Sequence, residues 1–145
     1  MEFGVFTVSD ITRDPITGYT PSEAERIDAT VQIAKKAEEV GLDVFAVGEH
    51  HNPPFFSSSP TTLLAYIAAQ TKTLKVSTST TLITTNDPVR IAEEYAMLQH
   101  LAKGRMDLML GRGMDRLMAR SRSFRCEQAG ARPSQVETPC PATTD

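Results

Sequence analysis

The sequence predicts an α/β fold with a parallel sheet, built from strand–helix–strand units. Two observations predict it: four short apolar runs alternate with three helical stretches in the first 113 residues, and each helical stretch begins at a capping signal. An open doubly wound sheet and a (β/α)8 barrel both have this order of elements. The first strand leads into TVSD at residues 7–10. A dinucleotide-binding fold would need a glycine-rich turn there, and its absence favours the barrel.

The four predicted strands are the apolar runs at residues 3–8, 43–47, 74–81 and 106–110. A complete (β/α)8 barrel takes roughly 250 residues. Residues 1–113 are therefore expected to form one domain with the first four strands and three helices, which is about half of a barrel.

The first predicted helix begins with Thr20 as the cap, Pro21 at the first helical position and Glu23 three residues after the cap. It should end at Gly41, because glycine readily adopts the left-handed conformation that closes a helix. Its predicted inward side has apolar residues at helical spacing, namely Ile27, Val31, Ala34 and Ala37.

The second and third helices are predicted to begin at Ser59-Pro60 and Asp87-Pro88, where a capping side chain again precedes a proline. The third should run to about residue 103 and end at Gly104. Its predicted inward residues are Ile91, Tyr95, Leu98 and Leu101.

The composition argues against several classes of partner. The formal net charge is -3 and no basic stripe with interleaved aromatic residues is present, so nucleic acid is not an expected partner. The N-terminus lacks a secretory leader, and no apolar run approaches the roughly 18 residues of a membrane span. The two cysteines, Cys126 and Cys140, have no metal-ligand spacing. We expect a cytoplasmic enzyme or binding domain.

Residues 114–145 differ in composition from the rest of the chain. Every lysine lies before residue 104, whereas residues 114–145 contain both cysteines and no lysine, isoleucine or tyrosine. The segment AGARPSQ at residues 129–135 has neither a strand period nor a helix period. We expect this tail to be largely disordered, because it can bury little apolar surface.

Candidate functional residues follow the second strand, where Glu49, His50 and His51 are consecutive. Histidine transfers protons near neutral pH, since its unperturbed pKa is about 6.5, and a neighbouring carboxylate can fix its tautomer. The residues alone leave an exposed loop with two solvent-facing histidines equally open. A metal site is less favoured, because adjacent histidines do not easily bind one ion and the remaining histidine, His100, lies on a helix. No metal is expected.

The ends of the third and fourth strands give weaker signals. Residues 77–81 are small and hydroxylated, so a planar ring could approach the backbone closely, although threonine also simply favours strands. Arg112 lies between Gly111 and Gly113, where its guanidinium could bind a phosphate in a bidentate way. A surface arginine in a loop is the equal alternative.

Four segments together resemble the bacterial luciferase-like monooxygenase family. They are MEFGVF at residues 1–6, VGEHH at 47–51, NDPVRIAEE at 86–94, and LQHLAKGR at 98–105 followed by GRG at 111–113. Within the family, EHHNPP at 49–54 and TLITTNDPV at 81–89 are most similar to the FMN-dependent actinobacterial branch. The resemblance covers the N-terminal part of the family pattern.

The resemblance implies a (β/α)8 barrel that binds reduced FMN, supplied by a separate reductase, at the carboxyl ends of its strands. Oxygen would add to the C4a carbon of the flavin, and the resulting hydroperoxide would oxygenate a small organic substrate. The intact family protein is expected to be a homodimer.

The resemblance also implies roles for individual residues. His50 would transfer protons near the flavin, Glu49 would orient or polarise this cluster, and His51 would contact the cofactor. Arg112 matches an arginine that reaches toward the flavin phosphate. Ser79 and Thr80 would pack on the flavin ring, and we predict between them the cis peptide bond that the family often has.

After residue 113 the sequence departs from the family pattern, which should continue into four more strand–helix units. We interpret residues 114–145 as a non-homologous tail produced by a frameshift, and we expect the chain alone to bind FMN weakly and to turn over little or nothing. Two alternatives stay open. One is a deazaflavin-dependent dehydrogenase of the same superfamily, which would transfer hydride. The other is a non-catalytic half-barrel that associates with another chain.

Overall fold

The computed structural model describes residues 1–113, which form one unit. The expectations for residues 114–145, including disorder and a frameshift origin, lie outside the described residues. Within the described part, the elements follow in the order β1 (Gly4–Thr7), α1 (Glu23–Glu39), β2 (Val44–Val47), α2 (Pro60–Gln70), β3 (Lys75–Thr78), β4 (Thr81–Leu82), α3 (Pro88–Leu101), β5 (Met106–Asp107) and β6 (Leu110–Gly111).

Four strands form a parallel sheet in the order β1-β2-β3-β5. Successive residues of a strand point to opposite faces of a sheet, so the register defines two kinds of row. One row consists of Val5, Phe45, Val76 and Met106, and the next consists of Phe6, Ala46, Ser77 and Asp107. The parallel sheet confirms the predicted strand–helix–strand units.

The three helices share one apolar core with the row that contains Phe45 and Val76. The largest fully buried apolar side chains are Phe45, Leu64, Ile67, Leu74 and Leu98. The opposite face is only partly covered: Ser77 on it is buried, whereas the side chain of Phe6 is 54% exposed. In a complete (β/α)8 barrel this second face fills the barrel interior, so its exposure is what a partial barrel requires.

The strands predicted at residues 74–81 and 106–110 are each divided in two. β3 and β4 divide the first, β5 and β6 divide the second, and β4 pairs with β6 in a separate two-stranded parallel sheet. At the break, the hydroxyl of Thr78 donates to the carbonyl oxygen of Met109 and accepts the N–H of Met109, both at 2.9 Å. A side chain therefore replaces the backbone ladder at this point, which interrupts both strands.

Ser22 caps α1, so the predicted Thr20 cap was wrong. The Ser22 hydroxyl accepts the N–H of Glu25, and the Glu25 carboxylate accepts the N–H of Ser22 in return. This reciprocal pair satisfies two otherwise unpaired N–H groups and fixes the start of the helix. The helix ends as predicted, with Gly41 at a φ of 81°. Ile27 is 40% exposed, whereas the other three predicted inward residues are buried.

The predicted starts of α2 and α3 are confirmed, with Ser59 and Asp87 as caps and a proline in each first turn. The Asp87 carboxylate accepts the N–H groups of Val89 and Arg90 at 2.9 and 3.1 Å, whereas the Ser59 side chain makes no capping hydrogen bond. Leu101, the last residue of α3, is 58% exposed and not inward as predicted. None of the helices in residues 1–113 combines the length and apolar character needed to cross a membrane.

Candidate functional site

The residues that follow β2 and β3 lie side by side at the carboxyl ends of the sheet. The N–H of Ser79 donates to the carbonyl oxygen of Val47 at 2.9 Å, and the N–H of Glu49 donates to the carbonyl oxygen of Thr80 at 3.1 Å. Parallel strands end at the same edge, so these bonds extend the pairing past the strands themselves. The residues that follow β2 and those that follow β3, which are separate in the sequence, thus form one candidate site in the fold.

Glu49 lies at the centre of this candidate site. Its side chain is 2% exposed. Its carboxylate accepts hydrogen bonds from Nε2 of His51 at 2.7 Å, the N–H of Leu82 at 2.9 Å, the hydroxyl of Thr85 at 3.2 Å, and the amide of Asn86 at 2.9 and 3.3 Å. An ionised carboxylate offers about four lone-pair sites. Hydrogen bonds from these four residues therefore occupy the acceptor sites of the Glu49 carboxylate.

The charge of Glu49 follows from these surroundings. Burial raises the pKa of its carboxyl group, but the hydrogen bonds from His51, Leu82 and Asn86 lower it, and the balance lies below the ordinary value for glutamate. Because an ionised carboxylate only accepts, Nε2 of His51 carries the proton that they share. In a neutral His51 ring, Nδ1 then carries no proton.

His50 has different surroundings from its neighbour. Its ring lies against Phe55, with ring centroids 4.4 Å apart and planes tilted by 33°. The backbone N–H of His50 donates to the carbonyl oxygen of Ser57 at 3.1 Å. Burial lowers the pKa of His50, the electrostatic interaction with His51 lowers it further, and that with Glu49 raises it, so that the pKa lies below its ordinary value. The His50 imidazole is therefore neutral at neutral pH and able to accept a proton.

The predicted cis peptide bond between Ser79 and Thr80 is confirmed. Both residues are partly exposed, and two glycines give them room. A Cβ on Gly111 would lie 2.3 Å from the hydroxyl oxygen of Thr80. A Cβ on Gly48 would lie 3.1 Å from the carbonyl oxygen of Ser79 and 3.3 Å from the ring of Phe6. The close packing of these strand ends thus depends on glycine, most strictly at position 111.

Arg112 follows β6 and is exposed, and its carbonyl oxygen accepts the hydroxyl of Thr84 at 2.7 Å. Since β6 pairs with β4, Arg112 lies at the same end of the sheet as Ser79 and Thr80. All six predicted site residues are therefore at one end of the sheet, although Glu49 bonds to His51 and not to His50.

A polar cavity of about 210 Å³ lies beside Glu49, and its wall includes Asn86, Glu94 and Tyr95. The hydroxyl groups of Tyr95 and Thr81 share a hydrogen bond at this wall. Among residues 1–113, no group of three or more histidine, cysteine, aspartate or glutamate side chains is placed to hold a metal ion.

Comparison with known proteins identifies the family. Residues 1–132 match the family described as Luciferase-like monooxygenase. The chain belongs to the luciferase-like monooxygenase family. An N-acetyl-S-alkylcysteine monooxygenase from Bacillus subtilis is 34% identical over 98 residues, which are 67% of this chain and 29% of that protein. A luciferase-like monooxygenase from Escherichia coli is 35% identical over 92 residues, 63% of this chain and 28% of that protein. The chain thus spans less than a third of the length of these two relatives.

Solved structures support the luciferase-like fold. The oxygenating constituent of 3,6-diketocamphane monooxygenase from Pseudomonas putida, solved with FMN, matches with a TM-score of 0.66 and 26% identity, over 79% of this chain and 30% of that chain. The monooxygenase RslO1 from Streptomyces bottropensis matches with a TM-score of 0.71 and 26% identity, over 89% of this chain and 39% of that chain. The predicted fold class is confirmed as a partial barrel of the luciferase-like type.

Sequence reasoning did not identify Thr85 and Asn86 as partners of Glu49 in this luciferase-like site. One signal for the pairing with His51 was available, because residues two apart in extended backbone share a side. Asn86 was visible only as part of the NDPV segment, directly before the helix cap Asp87. No local pattern predicts that its amide turns back to a residue 37 positions earlier.

Proposed function

We propose that the protein to which these residues belong is an FMN-dependent monooxygenase that uses reduced FMN and O2 to oxygenate a small organic substrate. The observation that carries the proposal is the meeting of the Ser79–Thr80 peptide, His50 and the Glu49–His51 pair at the carboxyl end of one sheet. Two comparisons support it. The Bacillus subtilis relative is named a monooxygenase, and the Pseudomonas putida structure was solved with FMN.

The residues present fit the ring end of a flavin. Ser79 and Thr80 are small and partly exposed, so a planar ring can approach the peptide bond between them. Arg112 is exposed at the same end of the sheet, and a guanidinium can bind a phosphate in a bidentate way. When bound, the flavin would supply the oxygen chemistry, while the protein positions it and keeps water away.

We assign different roles to the two histidines and to Glu49. His50, with its lowered pKa and its ring against Phe55, would accept or hold a proton near the flavin. His51 would contact the cofactor. Glu49 would not act as a base, because its oxygens already accept hydrogen bonds from four residues, and would instead orient His51. Oxygen activation at the flavin C4a carbon, a separate reductase, a homodimer and a cytoplasmic location stay predictions.

The deazaflavin-dependent alternative has less support. A coenzyme F420 dependent tetrahydromethanopterin reductase from Methanopyrus kandleri matches with a TM-score of 0.61 and an F420-dependent secondary alcohol dehydrogenase with a TM-score of 0.57. At 19% and 22% identity they share the fold alone. The half-barrel alternative is favoured by the open face of the sheet at Phe6. The mass of the chain by size exclusion tests it, and a clean monomer would count against association.

Titration of the purified 145-residue chain with FMN and, separately, with coenzyme F420 tests the cofactor class. Quenching of ligand fluorescence reports binding. We expect weak but saturable binding of FMN, tighter than that of F420. Saturable binding of F420 without binding of FMN would overturn the proposal in favour of the dehydrogenase, and binding of neither would leave it without support from this chain.

Oxygen uptake in the presence of reduced FMN tests the chemistry separately from binding. We expect the wild-type chain and His50→Ala to bind FMN comparably, and any uptake above that of free reduced FMN to be lost in the variant. Uptake that exceeds that of free reduced FMN and is equal in the two chains would contradict a proton-transfer role for His50.

A further inference from the structure

Asn86 opens the NDPV segment, and the function proposed above gives it no role. Its side-chain nitrogen lies within hydrogen-bonding distance of four acceptors. They are the two carboxylate oxygens of Glu49 at 2.9 and 3.3 Å, the carbonyl oxygen of Leu82 at 2.8 Å and the hydroxyl of Thr85 at 3.3 Å. Asn86 thus connects the loop that follows β4 to Glu49, which lies just after β2.

The chemistry of these neighbours fixes the orientation of the Asn86 amide. The Glu49 carboxylate and the Leu82 carbonyl group only accept hydrogen bonds. If the amide were turned over, its oxygen would face three other oxygens that carry no proton to share. Asn86 is therefore a donor to Glu49, and it stabilises the negative charge without adding a second charge to the buried site.

We propose that Asn86 is a positioning residue for the Glu49–His51 pair: it holds Glu49 ionised, so that His51 keeps its proton on Nε2. The inference rests on the proposed function, in which the His51 ring lies beside the cofactor. Leu82, Thr85 and Asn86 all donate to Glu49 from one short stretch of chain. The conformation of this loop and the charge of Glu49 therefore depend on each other.

Several titratable or charged groups surround Glu49. They are His50 and His51 on its own loop, Tyr95 on α3, and Asp87, Arg90 and Glu94 on the wall of the adjacent cavity. Arg90 is paired with Glu94 at 2.9 Å. Burial raises the pKa of Tyr95 to about 12, against a hydrogen bond from Thr81, with Glu49 adding to the rise. Within residues 1–113, the direct contacts of Glu49 are thus neutral donors and the His51 ring.

The test compares Asn86→Ala and Asn86→Asp with the matched control Asn52→Asp in the full chain. Asn52 lies in the same site region, but within residues 1–113 its amide donates only to the carbonyl oxygen of Pro53, at 3.3 Å. Titration of the Glu49 carboxyl carbon by NMR reports its charge, and the nitrogen-15 shifts of the His51 ring report its tautomer. Neither readout needs flavin or turnover, and the backbone spectrum of each variant shows whether the loop itself has moved.

We expect the titration midpoint of Glu49 to rise by about one pH unit in Asn86→Ala, which is a tenfold change in proton affinity. The rise should be larger in Asn86→Asp, because a second carboxylate disfavours the ionised form. In both variants the nitrogen shifts of His51 should move from the Nε2–H tautomer toward a mixture. Asn52→Asp should leave both readouts unchanged.

An unchanged Glu49 midpoint and His51 tautomer, in variants that keep the wild-type backbone spectrum, would overturn the inference. If one of the two Asn86 variants does not fold, the other decides. Saturable binding of F420 without binding of FMN would overturn the proposed function without altering these results, so the two failures are distinguishable.

Discussion

Replacing Glu49 by glutamine tests whether its buried carboxylate holds the strand ends together. The substitution keeps the size of the side chain but changes one oxygen into an NH2 group, which only donates. In the wild type, Oε1 accepts from the side-chain amide of Asn86 at 2.9 Å, and Oε2 accepts from the Leu82 N–H, also at 2.9 Å. Whichever way the new amide turns, a donor must face a donor in a site that is 2% exposed.

The expected loss of stability has two parts. A hydrogen bond to a charged group contributes roughly 1.5–3 kcal/mol, and a buried donor left without an acceptor costs about 1–3 kcal/mol. At least one donor loses its acceptor in Glu49→Gln, and the remaining bonds lose their charge. We therefore expect the free energy of unfolding to fall by about 2–4 kcal/mol at pH 7.

The same carboxylate should make stability depend on pH. The pKa of Glu49 in the folded chain lies below the ordinary value of 4.5, so the unfolded chain binds the proton more readily. The stabilisation is therefore fully present above pH 4.5 and is lost as the pH falls through the lowered folded value. Glutamine does not titrate, so the difference between wild type and Glu49→Gln should shrink on acidification.

Urea denaturation followed by circular dichroism, at pH 7 and at a series of acidic pH values, measures both effects. Glu93→Gln is the matched control. The Glu93 side chain is exposed to solvent, and it makes no ion pair within residues 1–113. It should change the free energy of unfolding by less than about 0.5 kcal/mol. A Glu49→Gln chain as stable as Glu93→Gln at pH 7 would refute the reasoning.

Two further substitutions test the packing and the capping that support the site. Gly111→Ala would place a methyl group 2.3 Å from the Thr80 hydroxyl oxygen, so the strand ends must separate. The affinity for FMN should therefore fall several-fold in fluorescence titrations. An unchanged affinity would argue against binding of the flavin at Ser79 and Thr80. Asp87→Ala removes two capping hydrogen bonds and should lower the free energy of unfolding in urea by about 1 kcal/mol. Ser59→Ala, at a cap without such bonds, should cost less, and equal losses would contradict the cap assignment.

The order of strands and helices could be predicted because its signals are local. Hydrophobic runs, prolines after caps and terminal glycines each act within a few residues. The breaks between β3 and β4 and between β5 and β6 could not be predicted in this way. They depend on the Thr78 hydroxyl meeting the backbone of Met109, 31 positions away, and such a contact exists only in the folded sheet.

The start of α1 shows a different limit of local reasoning. Thr20 with Glu23 and Ser22 with Glu25 both have the spacing of a capping box, so the sequence offers two nearly equivalent starts. In the fold, the hydroxyl of Tyr19 donates to the Glu25 carboxylate at 2.6 Å. This additional bond holds Glu25 at the start of the helix and favours the later cap.

The sequence predicted where the residues of the candidate site lie better than it predicted which of them form hydrogen bonds with one another. Glu49, His50 and His51 are adjacent in the sequence, which invited their treatment as one proton-transferring cluster. In the fold, Glu49 pairs with His51, while His50 lies against Phe55. A carboxylate whose acceptor sites are already used has little capacity to take up another proton. Proton transfer at this site should therefore fall to the imidazole rings, with Glu49 setting the tautomer of one of them.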